Sequence, residues 1–201
     1  MTQNNGSNLL KVTNEDTSGP FFPIYFRDES LEDLTVLGPG LVGGPSGQHI
    51  ILCGRVLDRH GDLANGVLME FWQANAKGMY SSPANSGHPD LDPWFNGYGR
   101  LRSVSGEYKF RTIMPGAPDK RAPNITITIF SDGISRIVTQ VFFEGHKANE
   151  TDPVLKSLGT DDQARLIARH EGRTDDGAEI YLLDIVMAGE KETPFFDDFE
   201  S

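Results

Sequence analysis

The sequence predicts a mainly β domain, a β-sandwich or half-open barrel of mixed strands, with one short helix and a long N-terminal arm. Three observations lead there. Short runs of β-branched residues alternate apolar with polar, as in RAPNITITIF at 121–130, and a period of two is the mark of a half-buried strand. These runs follow one another at close spacing, which is the habit of sandwiches and barrels. The chain also carries 22 glycines and 12 prolines in 201 residues, enough punctuation for many turns.

Residues 1–46 are irregular and glycine- and proline-rich, and are read as an arm; the domain proper is expected over 47–201. HIILCGRVLD opens it as a strand, RHGD turns, and GVLMEFWQA answers, so 48–74 is expected to be a hairpin. The stretch 82–99 is a long loop dense in Gly, Pro, Asn and Asp, of the kind that often carries function. RLRSVSGEYKFRT reads as a second hairpin turning at Ser105 and Gly106. RAPNITITIF and IVTQVFFEG are strands. DDQARLIARHE at 161–171 reads as the helix, from its acidic first turn and Leu166 and Ile167. AEIYLLDIVMAG is the last strand. The tail TPFFDDFES places three phenylalanines in five residues, expected to pack on the barrel itself or in a subunit interface.

Charge narrows the partners. The formal net charge is −11, which disfavours nucleic acid and anionic membrane. No run reaches the ~18 apolar residues of a membrane helix, and MTQNNGSNLLKV lacks the charged start and apolar stretch of a secretory signal. The expectation is a cytoplasmic protein. The single Cys53 lies in an apolar strand and reads as a buried structural thiol.

The residues alone offer no complete catalytic set. His49, His60, His88, His146 and His170 are too far apart in sequence for any H-x-H, H-x-x-H or HExxH pair. One cysteine excludes a thiolate zinc site, and GxSxG, GxGxxG and Walker patterns are absent. The paired acids Asp161–Asp162, Asp175–Asp176 and Asp197–Asp198 read as solvated surface.

GRVLDRHGDLANGVLMEFWQANAKGMY at 54–80 resembles the intradiol ring-cleavage dioxygenases. LDPWFNGYGR, GEYKFRTIMPG, IVTQVFFEG, DPVL and TSGPFF at 17–22 extend the match over most of the chain. Active members of that family hold Fe(III) with two tyrosines and two histidines. The resemblance puts these ligands at Gly87, in 116–120 (which has no tyrosine), and at Asn124 and Thr126. Neutral amide and hydroxyl oxygens are poor substitutes for phenolate and imidazole on a ferric ion. The resemblance therefore implies a chain with no metal and no catalytic residue of its own, paired in a higher hetero-oligomer with a homologous iron-binding β subunit. The substrates it implies are protocatechuate, or a related catechol such as 4-sulfocatechol, and O₂.

The same resemblance implies that Thr17, Gly19, Pro20 and Phe21 reach the partner's substrate pocket. It also implies an arginine before Gly133. Asp132 stands there instead, leaving Arg136 or Arg121 to meet an anionic substituent. Two other readings remain open at this point. One is a metal-free ligand-binding or scaffold domain; the other is a self-sufficient enzyme with Tyr80, Tyr98 and His88 as ligands.

Overall fold

The computed structural model describes residues 32–38, 42–103, 105–131 and 135–196. The mainly β expectation is met. Among the described residues nine strands form one mixed sheet: β1 (His49–Leu57), β2 (Val67–Gln73), β3 (Tyr98–Ser103), β4 (Glu107–Ile113), β5 (Asn124–Ser131), β6 (Ser135–Phe143), β7 (Ile167–Arg173), β8 (Glu179–Leu182) and β9 (Ile185–Val186). Their order is β3-β2-β5-β6-β7-β8-β1-β4, with β9 paired to β1 beside that path, and the sheet curls into a nearly closed barrel ending at β3 and β4. β6 and β7 join its two halves by a short parallel pairing, Phe142 opposite Ile167 and Phe143 opposite Ala168.

The core lies between the halves. Ile50 and Leu52 of β1, Val67, Met69 and Phe71 of β2, and Ile125, Ile127 and Ile129 of β5 are wholly buried. Each set is spaced by two, so one face of each strand points inward. Burying a side chain of this size stabilises by about 1.5–3 kcal/mol. Phe71 and Phe110 close the gap between the halves by stacking at 4.0 Å. A second cluster lies outside β6, where Ala122, Phe142, Leu155 and Leu166 pack together.

Two expectations about pairing are overturned. The segment 48–74 is no hairpin: β1 pairs with β4 and β8, while β2 pairs with β3 and β5 in the other half. The turn itself forms, with the Asp58 carboxylate accepting from the N–H groups of His60 and Asp62 at 2.8 and 3.0 Å. The chain then crosses instead of returning. The turn at Ser105–Gly106 likewise sends β3 and β4 to opposite ends of the sheet. Gly106, at φ +81°, lies so close to Leu63 that a Cβ would come within 2.8 Å of that residue's own Cβ.

The helix expected at 161–171 is cut short. Two short helices are found among the described residues, α1 (Pro153–Lys156) and α2 (Thr160–Ala164), and β7 begins at Ile167. Leu166 and Ala168 are buried while Arg169 is exposed, so the period here is two, set by the edge of β6. The last strand also divides: Leu183 and Asp184 separate β8 from β9, and the Leu183 carbonyl accepts from the Tyr108 hydroxyl at 2.7 Å. Gly54 permits this, since a Cβ there would lie 1.9 Å from the Leu183 carbonyl oxygen.

Within the arm, Leu34 is buried and its N–H donates to the Arg111 carbonyl at 2.9 Å. At the other end, Phe195 packs on the main core and Phe196 on the second cluster; Phe199 lies outside the described residues. No helix among the described residues is long and apolar enough to cross a membrane.

Candidate functional site

The outward face of β5 carries Asn124 and Thr126. Register sets Thr126 between Trp72 of β2 and Gln140 of β6. Trp72 stacks on Tyr80 at 5.9 Å and an interplanar angle of 13°, with Tyr98 6.5 Å away. The Tyr98 hydroxyl donates to Glu70 Oε1 at 2.9 Å, and Arg100 pairs with the same oxygen. Burial and the Glu70 carboxylate push the Tyr98 phenol up to about 12. Burial also raises the Tyr80 phenol. Both rings belong to the aromatic cluster around Trp72, and neither is drawn toward phenolate.

Asn124 is almost wholly buried, and its Nδ2 donates to the Ala122 carbonyl at 2.7 Å. Arg121, three residues before it, is engaged through two of its nitrogens. Its Nε donates to Asp152 Oδ2 at 2.9 Å, one terminal nitrogen donates to Gln140 Oε1 at 2.7 Å, and the guanidinium lies 5.9 Å from the centre of the Phe142 ring. Asp152 is inaccessible to solvent and caps α1, accepting from the N–H groups of Val154 and Leu155 as well as that of Ala122. Burial works against its charge. The hydrogen bonds from Arg121, Ala122 and Leu155 more than offset that, so the carboxyl is held below its ordinary range.

Gly87 lies in the long loop at φ +79°, a left-handed conformation that a tyrosine adopts only with strain. It opens on a concavity of about 360 Å³ shared with Ser81, His88, Asp92, Phe95 and Asn96. His88 keeps local company there, its Nδ1 accepting from the Asp90 N–H at 3.2 Å. The segment 116–120 backs onto the 75–79 turn: the Gly116 N–H donates to the Asn75 carbonyl at 2.8 Å.

These positions do not fit a ferric ion. The Asn124 amide nitrogen is engaged by Ala122, Thr126 is neutral, Gly87 has no side chain, and 116–120 contains no phenol. Among the described residues no group of three or more His, Cys, Asp or Glu converges.

Arg136, on β6 opposite Phe130, is exposed. Thr17, Gly19, Pro20, Phe21 and Asp132 lie outside the described residues. Cys53 is half-buried rather than buried, its Sγ 3.6 Å from the Tyr181 carbonyl, and burial raises the thiol. Sequence reasoning missed Asp152 and Gln140. DPVL does carry a signal, Asp before Pro at a helix start, but nothing in it names Arg121 as partner.

A family model described as dioxygenase matches residues 22–189. The chain belongs to the intradiol dioxygenase family. It is 38% identical over 191 residues to the protocatechuate 3,4-dioxygenase β chain of Burkholderia cepacia, covering 87% of this chain and 80% of that one. Against the α chain of the Pseudomonas putida enzyme it is 31% identical over 202 residues, covering 94% and 98%. The fold is shared with an intradiol ring-cleavage dioxygenase from Tetranychus urticae at a TM-score of 0.58 and 18% identity, over 85% and 91% of the two chains. The two curated relatives rank differently by identity and by coverage: the β chain leads in the first and the α chain in the second.

Proposed function

We propose that this chain is the iron-free, α-type subunit of a protocatechuate 3,4-dioxygenase-type enzyme. One observation carries the reading. The family's metal positions on β5 hold a buried Asn124, hydrogen-bonded to its own backbone, and a neutral Thr126. End-to-end coverage of an α-chain relative supports it. The higher identity to a β chain concerns the family scaffold and does not restore a phenol or an imidazole at 87, 116–120, 124 or 126.

In this reading a homologous β subunit binds Fe(III). The assembly opens protocatechuate between its two hydroxyl-bearing carbons, taking up both atoms of O₂ and giving 3-carboxy-cis,cis-muconate. No external electron donor is needed, because the catechol supplies the electrons. The arm, 1–46, contacts the partner, and Thr17, Gly19, Pro20 and Phe21 form part of its pocket wall. With Arg121 held by Asp152 and Gln140, a substrate carboxylate is met by the partner or by another cation of this chain.

The test is expression alone and together with an iron-binding homologue. The lone chain is expected to carry no iron and to consume no O₂ with protocatechuate; the co-expressed pair does both. Amide exchange in residues 13–26 is expected to slow on pairing. Stoichiometric iron with turnover in the lone chain overturns the reading.

A further inference from the structure

The chain sets 18 Lys and Arg against 29 Asp and Glu, yet three of its cations rim one concavity. This hollow of about 310 Å³ lies between the end of α2, β7 and the segment after β9. Its floor is apolar: Ile167, Leu182 and Val186, all only partly buried. Its rim is Arg165, Arg169 and Lys191. None of these residues belongs to the β5 face.

The counter-charges decide what the hollow can take. One Arg165 terminal nitrogen donates to Asp162 at 2.9 Å and to the Glu192 carbonyl at 3.3 Å. Arg169 pairs with Glu171 at 3.1 Å. Asp184, at the edge, is neutralised by Arg55, which approaches to 2.5 Å. Lys191 makes no side-chain hydrogen bond or ion pair among the described residues, and its sequence neighbours Glu190 and Glu192 do not line the hollow. Of the four charged residues that line the hollow, Arg165, Arg169 and Asp184 each hold an ion pair, and Lys191 holds none among the described residues and stands beside the apolar floor. The volume suits a small molecule. A group bearing one negative charge balances the site, and an apolar body covers the floor.

We infer that this hollow binds a small amphipathic monocarboxylate. The carboxylate lies on Lys191 and the outward guanidinium N–H groups of Arg165 and Arg169, and the apolar body lies on Ile167, Leu182 and Val186. A charge-assisted hydrogen bond at such a site contributes more than a neutral one, so the charge on the ligand and the cation on the rim both matter.

The experiment is titration of the full-length chain with benzoate, followed by methyl NMR. Saturable shifts are expected at the Ile167, Leu182 and Val186 methyls, with a Kd in the millimolar range. Neutral benzamide, and acetate with no apolar body to cover the floor, bind about tenfold more weakly or worse. Lys191→Met weakens benzoate about tenfold while leaving the rest of the spectrum unchanged. Arg169→Met, at a second exposed position, gives a smaller loss. The inference is overturned by equal binding of benzamide, by an unchanged benzoate affinity in Lys191→Met, or by no saturable shift at the three methyls. None of these readouts depends on iron, turnover or a partner chain, so they leave the subunit assignment untouched.

Discussion

Arg121 and Arg173 each reach a carboxylate through Nε at nearly the same distance, 2.9 Å to Asp152 and 2.8 Å to Glu179. Their surroundings differ. The Asp152 side chain is wholly buried and Arg121 is 24% exposed; Arg173 is 62% exposed. Asp152 also binds three backbone N–H groups, tying α1 to the start of β5. Glu179 shares itself between Arg173 and the His170 ring, 2.7 Å away, with both of those partners exposed to solvent. Distance alone therefore says little about stability. A buried carboxylate that loses its partners is left desolvated, whereas an exposed one turns to water.

The largest effect expected from breaking this contrast is Asp152→Asn, which removes the charge from four donors. A loss of about 3 kcal/mol is expected in chemical denaturation, and added salt changes it little because the pair is shielded from solvent. Its pH dependence follows from the lowered carboxyl. The contribution is complete above the unfolded value of about 3.9 and is lost as pH falls through the still lower folded value. The gap between wild type and Asp152→Asn is thus constant from neutral pH to about pH 5 and closes only in stronger acid. A gap that closes between pH 8 and pH 6 assigns the effect to another group.

Next comes Asn124→His with Thr126→His, which restores the family's paired imidazoles on β5. Asn124 has almost no free volume, so overpacking of about 1–3 kcal/mol is expected. Metal analysis of the purified double variant is expected to find no stoichiometric iron, since Gly87 and 116–120 still supply no phenolate. Tyr98→Phe should cost about 1 kcal/mol by removing the donor to Glu70, with Arg100 left to hold that carboxylate. The smallest effect is Arg173→Ala, with a thermal midpoint indistinguishable from wild type; a large fall there would erase the difference between the two pairs.

Some of this was readable before any coordinates. The alternation in RAPNITITIF was enough to assign Ile125, Ile127 and Ile129 to a buried face, and all three are wholly inaccessible. A period of two names a buried face but not the neighbouring strand, and the two expected hairpins failed for that reason. At 161–171, Leu166 and Ile167 suited either period over so short a run, and the open edge of β6 drew the chain into a strand. Of the candidate site, the missing donors were visible as letters at 87, 124 and 126. What replaced them was not: Arg121 and Asp152 are 31 residues apart, and Gln140 meets the same guanidinium from another strand.

By itself the sequence determined a β-rich, acidic chain, the inward faces of its strands, and the absence of ligand-type side chains on β5. These are local properties, carried by residue type and spacing. Tertiary structure alone decided that β3 and β4 stand at opposite ends of the sheet, that Arg121 turns to a buried acid, and that three cations gather around one apolar hollow. Each of those depends on which distant segments come to share a boundary without water, and such meetings are settled only when the faces close on one another.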